Sequence, residues 1–162
     1  MANGDIFKKS GGVWTKVGNL NGVQGSTGAT GPGVATYTNT VDIVLIADGN
    51  GMALGTGVKG YLEIDFACTI TVCSLLADQV GSCVADLWLC TYAQFDGSVT
   101  HPVAGDSIAA SAKPTLSSAI RYQDSTLTGW TVAIPAGSVL ALNLTSSSTI
   151  TRLNCTLKVT KN

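Results

Sequence analysis

Apolar and polar side chains alternate along most of the chain after about residue 36. The last run is the clearest, because Leu153, Cys155, Leu157 and Val159 alternate with polar or charged residues between positions 152 and 160. Successive side chains of a β-strand point to opposite faces, so this period of two predicts strands that bury one face. We expect further strands at positions 41–47, 61–66, 69–76, 83–92, 108–112, 129–134 and 138–144. No segment has a convincing helical period.

Glycine, proline and aspartate residues separate these runs. Turn signals lie at Asp48-Gly49-Asn50-Gly51, Asp96-Gly97, Gly105-Asp106 and Pro135-Ala136-Gly137. About seven to nine short strands punctuated in this way are typical of an antiparallel sandwich. We therefore expect an all-β fold in which residues 36–162 form a jelly-roll-like β-sandwich head.

Two of the predicted strands are apolar on both faces or nearly so. They are the runs from Ile70 to Leu76 and from Cys83 to Leu89. A sandwich sheet ordinarily keeps its outer face in water. Two-sided apolarity therefore predicts an outer face that is buried against neighbouring subunits.

The N-terminal residues 1–21 contain two shorter alternating runs, at positions 5–8 and 13–17, separated by Ser10-Gly11-Gly12. This pattern predicts a β-hairpin. A lone hairpin is only marginally stable in water, so we expect this one to dock on a larger structure. Its apolar side chains are the candidate attachment residues: Ile6, Phe7, Val13 and Trp14. Trp14 fits either packing within the hairpin or a ligand platform, and we favour packing.

Glycine recurs at a strict interval of three residues at Gly22, Gly25, Gly28 and Gly31. A collagen-type triple helix needs this period, because only glycine fits at its crowded axis. The interval predicts a short collagen-like stalk at residues 22–35 and a homotrimer; the alternative is a flexible linker. The triplets contain little proline and would not hold three chains together unaided. We therefore expect the head to close the trimer.

The composition of the chain argues against nucleic-acid and membrane partners. Charged residues make up 12% of the chain and the net charge is -1, so no basic field attracts nucleic acid. No apolar run approaches the roughly 20 residues of a spanning helix, and the first ten residues lack the apolar core of a signal peptide. We expect no membrane partner. A surface this short of charge fits a protein whose faces are partly covered by copies of itself.

The five cysteines form no Cys-x-x-Cys pair, and His101 is the single histidine. A zinc site needs more imidazole or a tighter thiol spacing, so we expect no metal and no cofactor. We expect all five thiols to be buried and reduced in a protein assembled in a cytoplasm. The alternative is a disulfide between Cys83 and Cys90 or between Cys68 and Cys155.

The residues give little support for catalysis. One histidine on an expected loop, without a Gly-x-Ser-x-Gly turn, does not indicate a hydrolytic nucleophile. Glu63 and Asp65 have a spacing near that of glycosidase acids, but alternate acidic residues are ordinary on the solvent face of a strand. Asp48 and Asn50 fit a tight turn better than a calcium loop. We expect no enzyme.

A glycan-binding module for host recognition is the competing function class. Such a site needs exposed aromatic rings beside amide or carboxylate groups. The candidate ligand residues are Trp130, Tyr122 and Gln123, whereas Trp88 and Tyr92 are expected in the core. Asn143 and Asn154 match glycosylation acceptors, but both lie in expected strands and we expect neither to be modified.

Residues 4–18, running directly into the glycine triplets, resemble the short segment that precedes collagen-like stretches in fibres of tailed bacteriophages. Residues 57–70, 75–78, 112–118, 125–130 and 157–161 are similar to a C-terminal domain found on many phage structural proteins. The resemblance implies a trimeric spike on the virion surface, assembled in the host bacterial cytoplasm. Its partners would be capsid or tail proteins, and it carries no catalytic or ligand signature. The short stalk fits a tail-tip or collar fibre and a capsid decoration equally well.

Overall fold

The computed structural model describes residues 4–19 and 39–162. The chain divides into two compact units, Met1–Tyr37 and Thr38–Asn162. The described residues are all-β with antiparallel sheets, and their helical content is two single 3₁₀ turns, Tyr92–Gln94 and Ala104–Asp106. The expectation of an all-β fold is confirmed. Gly22, Gly25, Gly28 and Gly31, which carry the stalk prediction, lie outside the described residues.

The N-terminal unit contains the predicted hairpin, formed by β1 (Asp5–Ser10) and β2 (Val13–Asn19). Its two-residue turn consists of Gly11 and Gly12, with φ angles of 58° and 86°. Both angles lie in the left-handed region that glycine adopts without strain, which is the requirement of a tight hairpin turn.

Two contacts between hairpin side chains involve a lysine. Lys16 Nζ lies 2.7 Å from the Asp5 carboxylate, and Lys9 Nζ lies 5.7 Å from the centre of the Trp14 ring. Trp14 is 61% exposed, so the prediction that it packs within the hairpin is wrong. The residue opposite Trp14 in the register is Lys9, which offers a cation rather than an apolar surface.

The head contains seven strands: β3 (Thr40–Asp48), β4 (Gly57–Ile64), β5 (Cys68–Thr91), β6 (Thr115–Asp124), β7 (Ala133–Ile134), β8 (Ser138–Ser148) and β9 (Arg152–Lys161). All pair antiparallel, and the long strand β5 joins two sets of partners. Its first half pairs with β9, whose other neighbour is β3; its second half pairs with β8, whose other neighbour is β4. The seven strands form one continuous sheet, and we call its two parts, joined through β5, the first and the second sheet. β6 runs along the opposite side of β5, mostly in the first sheet.

β5 passes from its pairing with β9 to its pairing with β8 between Ala77 and Ser82, and Gly81 lies in this stretch. A Cβ atom at this position would lie 2.5 Å from Ile150 Cγ1 and 2.6 Å from the carbonyl oxygen of Ser148. The turn between β8 and β9 therefore passes so close to the strand that only glycine fits. This close approach allows one strand to serve both sheets.

The two sheets share one apolar core. Leu153, Cys155, Leu157 and Val159 are all fully buried, which confirms the register read from the last alternating run. Residues from β3, β4, β5, β6 and β8 complete the same cluster. Leu140, Leu142 and Leu144 of β8 are also buried, as their spacing predicts.

Three strand predictions are wrong or incomplete. Positions 69–76 and 83–92 belong to one strand, because the chain bends at Gly81 without turning back. Positions 108–112 form an irregular segment in which Ala112 N–H donates to the Ala109 carbonyl, and buried apolar residues there imitate a strand pattern. Positions 129–134 are extended only at Ala133–Ile134, after a turn closed by Trp130 and Leu127. The sequence reading missed β6.

Candidate functional site

The outer face of the second sheet is covered by the chain itself. Cys90, Val139 and Ala141 lie on this face, yet each is at most 6% exposed. Residues 92–114, between β5 and β6, form what we call the covering segment. Phe95 of this segment stacks edge-on against Tyr61 of β4 with ring centres 4.9 Å apart. The prediction that neighbouring subunits bury this face is therefore wrong here.

A buried carboxylate fastens the covering segment to the second sheet. Asp86 is fully buried on the outer face and accepts hydrogen bonds from Trp88 Nε1 at 2.9 Å and from Ser107 Oγ at 2.6 Å. Lys113 Nζ lies 2.7 Å from Asp86 Oδ2, the oxygen that also accepts the Trp88 hydrogen bond. These three donors compensate a charge that would be very costly to bury alone. Trp88 was expected in the core; it is half-buried and points to Asp86 instead.

A second carboxylate shapes the middle of the covering segment. Asp96 accepts hydrogen bonds from the backbone N–H groups of Val99, Thr100 and His101 and from the Thr100 hydroxyl. The Thr100 hydroxyl and these N–H groups hold the pKa of Asp96 well below its ordinary value. Asp106 also binds within the segment, since its Oδ2 lies 2.9 Å from His101 Nδ1. The segment is thus folded by its own polar groups.

The outer face of the first sheet has no such cover within the described residues. We call it the open face. One row across its four strands consists of Ile46, Asn154, Leu76 and Arg121, and Val44 lies in the next row. Ile46 is 58% exposed, Leu76 53% and Val44 44%. These aliphatic side chains lie among polar residues of β9, since Asn154 separates Ile46 from Leu76 and Thr156 lies opposite Val44.

A cavity of about 500 Å³ lies at the β5 and β6 end of the open face. Its lining consists of Ser74, Leu76, Arg121, Tyr122 and Gln123. Gln123 Nε2 donates to Ser74 Oγ at 3.2 Å. Arg121 makes no ion pair or hydrogen bond with any residue that the structure describes. The cavity therefore combines a free cation, an amide, a hydroxyl and an apolar wall.

The three predicted ligand residues do not form one site. Tyr122 and Gln123 line the cavity, but Tyr122 also packs against the core, and burial is the main cause that raises the pKa of its hydroxyl. Trp130 is 8% exposed and its Nε1 donates to the Ala112 carbonyl at 3.0 Å. Its expected exposure is wrong because the ring fills the core below that segment. Tyr92, expected in the core, is 64% exposed.

Sequence reasoning missed the residues that make the open face distinctive. Leu76 was read as one more apolar position of a two-sided strand, and Arg121 lay in a segment without a predicted strand. Their pairing in the register of β5 and β6 brings them to one row. The available signal was the run Ser117 to Gln123, whose polar residues are interrupted by Ile120 and Tyr122.

All five cysteines are buried free thiols, which confirms the predicted burial. A hydrogen bond with Cys73 and burial hold the pKa of the Cys155 thiol well above its ordinary value. The register excludes both alternative disulfides. Cys83 points into the core whereas Cys90 lies on the outer face, and Cys155 is opposite Leu75, seven residues along β5 from Cys68.

The remaining candidates have ordinary partners. The Asp48 carboxylate accepts the Asn50 N–H at 2.8 Å and pairs with Arg152, so the predicted turn is confirmed. Glu63 and Asp65 are both exposed. Within residues 4–19 and 39–162, no group of three or more His, Cys, Asp or Glu side chains is placed to hold a metal ion. The described residues include no helix with the length and apolarity needed to cross a membrane.

Comparison with known proteins adds no family: no family model, curated protein or solved structure matches this chain.

Proposed function

We propose that this chain is a non-enzymatic structural protein of a tailed-phage virion. In this proposal three copies form a surface spike with jelly-roll heads, a short collagen-like stalk and an N-terminal hairpin foot. The proposed fold is supported by the strand pairing. β3 and β4 are the two ends of one seven-stranded sheet, and β9 and β8 lie next to them. β5 pairs with both β9 and β8, and a sheet that folds over at β5 would give the double-sheet pattern of a jelly roll.

The contrast between the two outer faces carries the proposal of a trimer. The second sheet is covered by residues of the same chain, whereas the open face exposes Val44, Ile46 and Leu76 to solvent. A neighbouring copy that covered the open face would remove these side chains from water, at about 25 cal/mol for each Å² buried. The glycine interval independently favours three copies.

The hairpin supports the role of the foot. Val13 is 65% exposed, Val17 59% and Ile6 41%, in addition to Trp14. A two-stranded hairpin with four exposed apolar side chains gains stability when a partner covers them. We propose a capsid or tail protein as that partner.

Light scattering on the purified full chain tests the trimer. The expected mass is three times the 16.5 kDa of one chain. A monomer at micromolar concentration would overturn the proposal. Mass spectrometry of purified phage particles that carry this sequence tests the virion location, since a virion component must be present in them and absent from particles that lack the sequence.

Host-glycan recognition is a second candidate function, favoured by one observation. Tyr122 and Gln123, chosen from the sequence, line the same cavity as the free Arg121. Binding of host-surface polysaccharide should then be lost in Gln123→Ala and retained in a Trp130→Phe control, whose ring remains in the core. Binding that survives Gln123→Ala together with Tyr122→Phe rejects this cavity as the sugar site.

A further inference from the structure

Five charged side chains of the head have no hydrogen-bond, ion-pair or ring-contact partner within the described residues. Asp42 and Lys158 lie opposite each other on β3 and β9, whereas the other three face no opposite charge in the strand register. Arg121 lies on the open face, and Glu63 and Asp65 lie at the end of β4 and directly after it. None of them makes an ion pair or a side-chain hydrogen bond to a residue that the structure describes. In a chain with 12% charged residues, an unpaired cation and two adjacent unpaired anions indicate electrostatic complementarity with something outside the chain.

The opposite charges lie at opposite sides of the head. β4 is the terminal strand of the second sheet, whereas Arg121 is on β6, beyond β5 at the other end of the first sheet. A closed ring of three copies has a heterologous interface, in which each copy offers one surface to the copy before it and a different surface to the copy after it. Complementary charges on opposite sides of one head meet this requirement.

We propose that the β4 edge of one copy docks on the open face of the next copy, so that Arg121 pairs with Glu63 and Asp65 of its neighbour. This inference rests on the proposed trimer and names its interface. The occupant of the open face is therefore a second copy of this chain.

The apolar groups of the two surfaces also match. The β4 edge exposes Tyr61 at 40% and Leu62 at 38% beside Glu63. The open face offers Ile46 and Leu76 in the same row as Arg121. Lys59, the one cation on β4, donates to the Thr56 carbonyl, so it does not neutralise Glu63. Docking would also cover the unpaired backbone groups of an edge strand.

In the proposed trimer, a stalk at residues 22–35 would join the three copies near β3. β3 begins at Thr40, and Val44 and Ile46 lie about 17 Å and about 23 Å along the strand from Asn39 at roughly 3.3 Å per residue. Three chains joined by a triple stalk would therefore bring their β3 strands together. β3 is the outermost strand of the open face, so the open faces would be brought near neighbouring heads.

Charge reversal tests the pairing. Arg121→Glu should raise the concentration at which the trimer half dissociates at least about tenfold, because it places like charges opposite each other. Adding Glu63→Arg to Arg121→Glu restores one opposite pair and the wild-type net charge, and should recover most of that loss. Val99→Glu is the matched control, since Val99 is 78% exposed on the covering segment; it should assemble as the wild type does. Circular dichroism establishes that each variant is folded.

Cross-linking tests directly whether residue 63 of one copy lies close to residue 121 of the next. With Glu63→Cys and Arg121→Cys in one chain, a short bis-maleimide should yield covalent trimers, and either single variant should yield none. The native thiols are buried and should react slowly.

A wild-type monomer overturns the proposed trimer. A wild-type trimer that tolerates Arg121→Glu and yields no cross-linked chains overturns this interface alone and means that Glu63 and Asp65 only guard a strand edge. Polysaccharide bound at Arg121 of an intact trimer would also overturn it.

Discussion

The two outer faces of the head both carry apolar side chains, but within the described residues only one of them is covered by the chain itself. Both sheets carry apolar residues on the side that faces away from the core. On the second sheet, residues 92–114 cover that side and leave Ala141 fully buried. On the first sheet, Ile46 and Leu76 remain more than half exposed. Apolarity on both faces of a strand therefore does not by itself show whether residues of the same chain cover the outer face.

The chemistry of the two faces differs accordingly. The covered face is fastened by a buried carboxylate with donors from Trp88, Ser107 and Lys113, which requires fixed geometry. The open face carries the aliphatic side chains Val44, Ile46 and Leu76 among polar and charged residues of β9. Aliphatic contacts are non-directional, so they suit a surface that assembles after folding. The comparison separates residues that maintain one head from residues that we propose to bind a neighbouring head.

The largest effect is expected from removing the carboxylate of the covered face. Asp86→Ala leaves Lys113 and two other donors without their acceptor, and should lower the free energy of unfolding by about 3 to 5 kcal/mol. Chemical denaturation measures the loss. Asp42→Ala, at an exposed aspartate on β3, is the control and should change stability by less than about 0.5 kcal/mol. Equal effects at the two positions would contradict the comparison.

A smaller effect is expected at the bend where β5 leaves one sheet for the other. Gly81→Ala places a methyl group 2.5 Å from buried Ile150 and should cost about 1 to 3 kcal/mol in thermal or chemical denaturation. Gly60→Ala is the matched control on β4, because nothing lies within 4 Å of its added Cβ. If Gly81→Ala is tolerated as well as Gly60→Ala, the close approach does not determine the path of β5.

The sequence predicted the inner side of the molecule better than the outer side. Alternation depends on burial by the core, so the register of Leu153 to Val159 and the burial of the thiols were predicted correctly. The hairpin followed from the two glycines of its turn, which need positive φ angles. These features are local, and each is determined by a few neighbouring residues.

The remaining features depend on contacts between distant segments. The β5 strand passes close to Thr149 and Ile150, about seventy residues away, and the cover of the second sheet includes two side chains that bind Asp86 from more than twenty residues away. Trp130 was misplaced because an indole that donates to a backbone carbonyl is compatible with the core. The free Arg121 was missed because its face is determined by the pairing of β6 with β5.

Thiol labelling distinguishes burial beneath the covering segment from burial between the two sheets. Cys90 lies beneath the covering segment, where burial and the charges of Asp106 and Asp96 raise the pKa of its thiol, whereas Cys155 lies between the sheets. Local opening of the segment should expose only Cys90. Asp86→Asn should therefore increase the labelling rate of Cys90 about tenfold or more and leave that of Cys155 unchanged. Mass spectrometry locates the label. Parallel acceleration of both thiols would mean that the segment does not open by itself.

The smallest effect is expected from acid, and it should be confined to the covering segment. Because the folded pKa of Asp96 is lowered, its hydrogen bonds stabilise the folded segment above the ordinary carboxyl pKa and are lost as the pH falls toward the folded value. Protection of the Thr100 and His101 amides against hydrogen exchange should therefore persist at pH 5 and decline below about pH 4. Asp96→Asn is the control, because it cannot titrate and should show weaker but pH-independent protection factors. A variant that declines over the same pH range would assign the change to other carboxyl groups.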